Sequence, residues 1–484
     1  MSAAHLFFCL FLVGNTNLLA QSAKTPDAAA TSVLKEIEIF QEAMSWFQKG
    51  EAMIGTDDQN SGEQAEMFRK AIEIRPEFLE AHYNLGLIYI NQNKMKEAAA
   101  EFEAVLRIEP DFDPGIFYLL GAARYDAGDY EEAIAALESG LRRKPEDLDM
   151  LKILARLQLQ TNRDDAAAAA LQLIIAADPS DAAARAELAV LYHKKDEIEK
   201  AAALYKESLD IDPENFIARY NLGLIYTRQR KMAEAAEEFE KARAAEPENL
   251  ELLERLGDVR AHLTQYAAAA DVYQDALNRG GEAKSLLPKL GLSLANIGRI
   301  AAAIDVLVRA AGLDAKNPDT WFLLGDLYLD SEKPDEAIDA YRKTLELGYN
   351  QKEIRLNLGV LYAEKEMYDE AMPELRRAAE IDPDYVLAWR NIAQVAEKLD
   401  DDKEAIAAHE KTIALSGGSA HNYFNLGILY ARNDQPDQAI EAFAGAIERE
   451  PEKYREILKE ELKNVRSVLD DIRFQKRFTD LLTP

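Results

Sequence analysis

The sequence lacks the residues from which most covalent and metal-stabilised sites are built. Its 484 residues include one cysteine, Cys9, so an intramolecular disulfide is excluded. None of the six histidines has the spacing of a metal-binding motif, and no phosphate-binding glycine loop, dinucleotide fingerprint or Gly-x-Ser-x-Gly sequence occurs. We therefore expect no metal, no cofactor and no catalytic residue, and we predict that the protein is not an enzyme.

Basic residues are also scarce. The 57 Lys and Arg residues are outnumbered by 87 Asp and Glu residues, which gives a formal net charge of −30. This charge disfavours binding to nucleic acid and to anionic lipid surfaces. Neutral or basic proteins and peptides are the expected partners. The alternative is that the acidic excess only solvates helical faces.

The N-terminus carries an apolar run, LFFCLFLVG from Leu6 to Gly14, that is too short to span a bilayer. A small residue, Ala20, follows at the distance of a signal-peptidase site. We therefore expect residues 1–20 to be a signal peptide, and the protein to be exported to a bacterial periplasm or cell surface, with no membrane insertion of the mature chain. Residues 1–5 contain no Lys or Arg, so an uncleaved anchor or a cytoplasmic chain remains an alternative.

What the chain does contain is internal repetition. The string YNLGLIY begins at Tyr83 and again at Tyr220, a separation of 137 residues or four units of about 34. Stepping along the chain at this interval finds eleven small residues, here called the small column: Gly86, Gly121, Ala155, Ala189, Gly223, Gly257, Gly291, Gly325, Gly359, Ala393 and Gly427.

Two further columns keep the same step. Twelve residues after each small residue comes the alanine column, which is alanine in all eleven units: Ala98, Ala133, Ala167, Ala201, Ala235, Ala269, Ala303, Ala337, Ala371, Ala405 and Ala439. Twenty-four residues after the small column, seven of the eleven units have proline, which ends a helix. Gly280, Gly348 and Gly417 are expected to provide left-handed helix stops in three of the others.

Each unit therefore holds two amphipathic segments and is predicted to be a helical hairpin. We expect the small residue to face the alanine column, which brings the two helix axes close together. The large column, sixteen residues after the small column, is expected to fill the space between neighbouring hairpins: Phe102, Leu137, Leu171, Tyr205, Phe239, Tyr273, Leu307, Tyr341, Leu375, His409 and Phe443.

The pattern resembles the tetratricopeptide repeat family, with Trp321, Leu324, Gly325, Tyr328 and Ala337 at its signature positions. The resemblance implies an all-α, right-handed α-solenoid (superhelix) of about eleven to twelve hairpins with terminal capping helices. The expected segments are the signal peptide 1–20, a tether and N-terminal helix 21–42, a degenerate repeat 43–78, eleven tandem repeats 79–453 and capping helices 454–484. A 35-residue RNA-reading repeat is disfavoured by the strict 34-residue step and the acidic charge.

In this family the first helix of each hairpin lines a concave groove, and the position two before the small column points into it. We expect partner-binding residues there and in the aromatics that precede them: Tyr83, Asn84, Tyr220, Asn221, Asn357, Asn391, Phe424 and Asn425. A carboxamide offers a donor and an acceptor to a peptide backbone. The alternative is that the asparagines belong to the generic repeat consensus.

The expected function is a non-enzymatic scaffold that binds a partner protein or extended peptide in the concave groove. The alternatives are a self-assembling structural component of the cell envelope and an enzyme with an unrecognised site in the groove. The sequence does not predict the oligomeric state.

Overall fold

The protein is built from helices, as its abundance of Ala, Leu and Glu at helical spacing predicts. The computed structural model describes the backbone of residues 26–461 and 472–483, and the side chains of residues 32–460 and 475–483. These residues form 26 helices and no strand. They fall into two compact units, one up to Arg230 and one from Lys231. The predicted signal peptide lies outside the described residues.

Unit 1 contains five hairpins and one further helix. Its helices are α1 (Pro26–Glu51), α2 (Gly62–Ile74), α3 (Leu79–Asn91), α4 (Met95–Ile108), α5 (Gly115–Ala127), α6 (Tyr130–Leu141), α7 (Leu148–Gln160), α8 (Asp164–Ala177), α9 (Ala182–Lys194), α10 (Ile198–Ile211) and α11 (Phe216–Arg228). Helices α1–α2, α3–α4, α5–α6, α7–α8 and α9–α10 pack as pairs, and each pair also packs against the next.

Unit 2 begins with one helix and continues with six hairpins. Its helices are α12 (Met232–Ala245), α13 (Leu250–His262), α14 (Tyr266–Asn278), α15 (Ala283–Asn296), α16 (Ile300–Leu313), α17 (Pro318–Asp330), α18 (Pro334–Glu346), α19 (Lys352–Glu364), α20 (Tyr368–Ile381), α21 (Val386–Lys398), α22 (Asp402–Ser416), α23 (Ala420–Arg432), α24 (Pro436–Arg449), α25 (Pro451–Glu461) and α26 (Ile472–Leu482). The pairs from α13–α14 to α23–α24 are the hairpins. The all-α repeat solenoid predicted from the sequence is confirmed.

The close packing of the two helices in a hairpin depends on the small column, and its closest contact is with the large column. A Cβ atom added to Gly325 would lie 2.6 Å from the Tyr341 ring, and one added to Gly121 would lie 2.6 Å from Leu137. The large column therefore covers the small column of its own hairpin. The predicted contact with the alanine column is also present at Gly359, where an added Cβ would lie 3.3 Å from the carbonyl oxygen of Ala371.

The alanine column lies at the tightest part of the fold. All eleven of its members are 0% exposed. A methyl group is the largest side chain compatible with the helix contacts at this point, and alanine also has the highest helix propensity. This combination explains why no other residue type occurs in the column.

The turn inside each hairpin has one backbone conformation. Seven residues after each small residue, φ is positive in all eleven units: Asn93, Gly128, Asn162, Asp196, Arg230, Thr264, Gly298, Glu332, Glu366, Asp400 and Asp434. Nine of these are not glycine, and this left-handed conformation is strained for residues with a side chain. The strain is greatest for the β-branched Thr264, whose φ is 58°.

The predicted helix stops and ends are partly as expected. Gly280, Gly348 and Gly417 have φ of 92°, 87° and 75°, which confirms left-handed stops. Helix α1 begins at Pro26, so residues 26–30, predicted as part of a tether, are helical. The reason is the alanine-rich sequence after a proline suited to a first helical turn.

The C-terminal helices close unit 2. Helices α25 and α26 pack against α24, and Phe478 is buried beside Phe443 with ring centroids 5.6 Å apart. Apolar residues of the predicted capping helix at Leu462, Val465 and Leu469 lie outside the described residues. No helix in the described ranges is long and apolar enough to cross a bilayer.

The hairpin contact predicts opposite effects of one substitution at two glycines of unit 2. A Cβ at Gly291 would lie 2.5 Å from Leu307, whereas nothing lies within 4 Å of a Cβ at Gly312. We expect Gly291→Ala to lower the free energy of unfolding by about 1–3 kcal/mol through overpacking. Gly312→Ala should raise it by up to about 1 kcal/mol. Urea unfolding followed by circular dichroism measures both, and equal effects would contradict the packing argument.

The hairpin turn predicts that relieving backbone strain stabilises unit 2. We expect Thr264→Gly to raise the free energy of unfolding by about 0.5–1 kcal/mol, because glycine adopts positive φ without steric cost. The matched reverse change, Gly298→Thr, should lower it by about 1–2 kcal/mol. Thermal unfolding tests the pair, and a destabilising Thr264→Gly would show that the threonine side chain offsets its own strain.

Candidate functional site

The first helices of neighbouring hairpins contact each other directly in both units. In unit 1, α5 contacts α7 and α9 contacts α11; in unit 2, α13 contacts α15, α15 contacts α17, and α19 contacts α21. We call the surface formed by these helices the first-helix face of each unit. Lys289, two residues before Gly291, reaches from α15 to α13, so this sequence position lies at the junction of successive first helices.

Three of the predicted asparagines come together in unit 2. Asn357, Asn391 and Asn425 lie on the successive first helices α19, α21 and α23, and all three are half-buried. The Nδ2 of Asn391 donates to the carbonyl of Leu387 at 2.8 Å. The Nδ2 of Asn357 is 3.2 Å from the Tyr341 hydroxyl, and that of Asn425 is 3.4 Å from a Glu397 oxygen.

These contacts set the orientation of each carboxamide. A carbonyl or carboxylate oxygen can only accept, so Nδ2 is the end that faces Leu387 in Asn391 and Glu397 in Asn425. None of the three Oδ1 atoms accepts a hydrogen bond from the described part of the chain. Each Nδ2 carries two N–H groups, and Asn357 and Asn391 each use one of them, so the row offers an acceptor at all three positions and a further donor at Asn357 and Asn391.

The two asparagines of unit 1 are not adjacent. Asn84 on α3 and Asn221 on α11 are half-buried, and Leu119, Ile153 and Glu187 hold the equivalent position on the helices between them. The Nδ2 of Asn221 donates to the Ile217 carbonyl at 2.8 Å, as in Asn391. Asn84 makes no side-chain hydrogen bond within the described residues. Unit 1 thus has isolated asparagines rather than a row.

The three predicted aromatics pack within their own units. The Tyr83 ring lies 6.3 Å from Phe102 and 5.9 Å from Phe112. Tyr220 stacks on Phe216 at 5.6 Å.

Phe424 lies 5.4 Å from Tyr454 and 6.1 Å from Phe443. All three aromatics are half-buried, so they support the asparagine-bearing helices, and their contact with a partner stays a prediction.

Sequence reasoning missed a charged network on the first-helix face of unit 2. The Nζ of Lys289 lies 2.7 Å from Glu254 and 2.7 Å from Asp258. Ser285 donates to Glu254 at 2.6 Å, and the Tyr273 hydroxyl donates to Asp258 at 2.8 Å. Lys289 stands where other units have asparagine, so the same column that revealed the asparagines could have identified it.

Hydrogen bonds outweigh burial in setting the charges of this network. Burial disfavours the charged lysine, but bonds to Asp258 and Glu254 raise the pKa of Lys289 above its ordinary value. Burial likewise disfavours the charged glutamate, but bonds from Lys289 and Ser285 lower the pKa of Glu254. Lys289 therefore stays charged, and two carboxylates balance its charge.

Tyrosines of the large column differ in whether their hydroxyls are satisfied. The Tyr341 hydroxyl donates to Asp326 at 2.6 Å, while burial raises the pKa of Asp326. Asp326 directly follows a small residue, as Asp258 does. Tyr205 has Val190 at that place, and its buried hydroxyl has no hydrogen-bond partner in the described residues.

The histidines serve packing and ion pairing. His409 belongs to the large column, is buried as predicted, and places Nε2 2.6 Å from Glu397, the same oxygen that Asn425 approaches. His82 lies 2.5 Å from Glu101. Among the described side chains, no group of three or more His, Cys, Asp or Glu residues is arranged to hold a metal ion.

Comparison with known sequences identifies the repeat. The cilia and flagella-associated protein 70 C-terminal domain matches residues 16–251. Tetratricopeptide repeat families match residues 220–286, 289–351, 322–386 and 356–420, and residues 420–453. No curated protein matches the chain.

Solved structures share the fold over parts of the chain. MamA from Desulfovibrio magneticus RS-1 is 24% identical over 35% of this chain and 96% of its own, with a TM-score of 0.33. A tetratricopeptide repeat protein from Parabacteroides merdae is 15% identical over 58% and 98%, with a TM-score of 0.37. YrrB, a repeat protein with an unusual peptide-binding site, is 25% identical over 46% and 97%, with a TM-score of 0.27.

The repeat pattern, the paired helices and the family matches agree along the described chain. Such repeats typically form non-enzymatic scaffolds for protein interaction. The chain belongs to the tetratricopeptide repeat family.

Proposed function

We propose that the protein is a non-enzymatic scaffold whose first-helix face in unit 2 binds an extended segment of a partner protein. The observation that carries the proposal is the row of Asn357, Asn391 and Asn425 on α19, α21 and α23. Their Oδ1 atoms accept no hydrogen bond from the described residues, so they suit the backbone N–H groups of an extended chain, which are available whatever its side chains are.

The charge distribution favours a neutral or basic segment. The chain carries a formal net charge of −30, and Lys289 is already paired with two carboxylates on the same face. An acidic segment would meet repulsion without a free lysine at this point to offset it. The acidic net charge also argues against nucleic acid as the partner.

We further propose that the scaffold works outside the cytoplasm. The support is the N-terminal apolar run from Leu6 to Gly14 followed by Ala20. Export would leave a mature chain without cysteine, whose stability depends on packing alone.

The asparagine row predicts a loss of binding that is separable from stability. We expect Asn391→Leu to weaken binding of extended peptides by roughly three- to tenfold, the value of one hydrogen bond. The probe is a displayed library of short unstructured peptides sorted on the intact chain, with affinities of the enriched peptides measured by calorimetry. Asn425→Leu should add to the loss.

The matched control for this prediction is Asn296→Leu. Asn296 donates to the Leu292 carbonyl at 2.8 Å, the same internal bond that Asn391 makes, but it lies outside the asparagine row. Both variants should lower the thermal midpoint equally, and only Asn391→Leu should weaken binding. Equal binding by both variants would show that the asparagine row is not part of the binding site.

The export proposal predicts the start of the mature protein. After expression of the full sequence in a bacterium, we expect the protein in the periplasmic or extracellular fraction, beginning at or near Gln21. N-terminal sequencing or intact mass measures this. A cytoplasmic protein that retains residues 1–20 would contradict export and leave the peptide-binding proposal intact.

A further inference from the structure

A second surface of unit 1 has the features of a protein-binding site. An open cleft of about 450 Å³ lies between α6 and α8, the second helices of two successive hairpins, with α7 as its floor. Its apolar lining includes Leu141, Leu151, Leu154, Ala169 and Leu173. Its two walls are second helices, which are not part of the first-helix face.

The repeat that forms the cleft lacks an inter-hairpin hydrogen bond that several other repeats make. The residue three after a small residue reaches the second helix of the preceding hairpin. Tyr430 donates to Glu410 in this way, and Arg260 donates to Glu240, each across 20 residues of sequence.

Gln172 and Tyr192 make the same link at 3.3 Å. The equivalent pair in the cleft is Gln158 and Glu138, and no hydrogen bond joins them.

Both members of this broken pair are left without partners. Gln158 is 5% exposed, and its buried Oε1 accepts no hydrogen bond within the described chain. The exposed Glu138 carboxylate makes no hydrogen bond or ion pair with the described residues. A buried carboxamide oxygen without a partner is unfavourable for the folded protein, and beside an apolar cleft it is placed to accept a hydrogen bond from a bound partner.

The rim of the cleft is unusually apolar for its position. Leu173 lies eighteen residues after a small residue, a position that is charged in seven of the eleven units and Ala, Ser or Gly in three others. Its side chain is 52% exposed. The exposed Ala166 and Ala169 continue this rim along α8, so a partner can approach the helix closely.

We propose that this cleft binds an amphipathic helix of a partner protein, which inserts one tyrosine or tryptophan side chain. The ring takes the space that the tyrosine of other repeats fills, and its O–H or N–H donates to Gln158 or Glu138. A groove between two adjacent helices suits a third helix. Two charged residues line the cleft: Arg142 donates to the Ser139 hydroxyl, whereas the Glu138 carboxylate has no hydrogen-bond or ion-pair partner among the described residues, so Glu138 favours a basic residue beside the aromatic one.

The sharpest test gives the chain itself the tyrosine that other repeats have at this position. Gln158→Tyr should fill the cleft with the chain's own ring, raise the thermal midpoint and lower helix binding at least about tenfold. The probe is a displayed library of helix-forming peptides randomised on one face, sorted on the intact wild-type chain. Enriched peptides should share a central tyrosine or tryptophan.

A second variant keeps the test valid if Gln158→Tyr folds poorly. Leu173→Glu adds a charge to the rim and should also weaken binding at least about tenfold. Leu313→Glu is its control, because Leu313 is 55% exposed and lies on α16, away from the cleft. Leu313→Glu should bind the enriched peptides like the wild type.

Several results would overturn the proposal. Enrichment of peptides without an aromatic residue would do so, as would no enrichment at all. Unchanged binding by Leu173→Glu would show that the peptides bind outside the cleft. A wild-type dimer in sedimentation that Leu173→Glu converts to a monomer would show that a second copy of the chain occupies the cleft.

Discussion

The structure depends on one steric constraint, the fit of a large side chain over a glycine or alanine within each hairpin. Eight members of the small column are glycine, and at seven of them an added Cβ would lie 2.4–2.7 Å from the large side chain of the same hairpin. Together with the fully buried alanine column, this fit holds two helices at one separation along each unit. Each hairpin then presents the same faces to its neighbours, so positions outside these columns can vary without changing the fold.

Chemical variation is therefore concentrated in the columns that packing leaves free. The position two before the small column is Asn in five units, Lys at Lys289 and Glu at Glu187. Burial raises the pKa of Glu187, whereas two carboxylates hold Lys289 charged, so one position of the repeat provides three different chemistries. The fold repeats along each unit, but its chemical surface does not.

The sequence was sufficient for features that depend on local geometry. Hairpin boundaries, glycine stops and burial of the alanine column follow from residues close together in the chain. The contact between the small and large columns could not be predicted, because it depends on the crossing of two helices. The asparagines were identified from the sequence, but only the structure shows that Leu387 and Glu397 take N–H groups of Asn391 and Asn425. The Lys289 network joins residues 31 and 35 apart and required the same three-dimensional information.

The cleft lies where one repeat departs from several others. Tyr341 and Tyr273 have aspartate partners, whereas the Tyr205 hydroxyl has none among the described residues; likewise Tyr430 has Glu410, whereas Gln158 leaves Glu138 unpaired there. In a repeat array each departure is judged against equivalent positions in the same chain, which acts as its own control. Where a missing hydrogen bond only leaves a buried polar atom without a partner, the result is a local loss of stability. Where the missing hydrogen bond lies beside an apolar cleft with an exposed leucine on its rim, the surface has the physical character of a binding site.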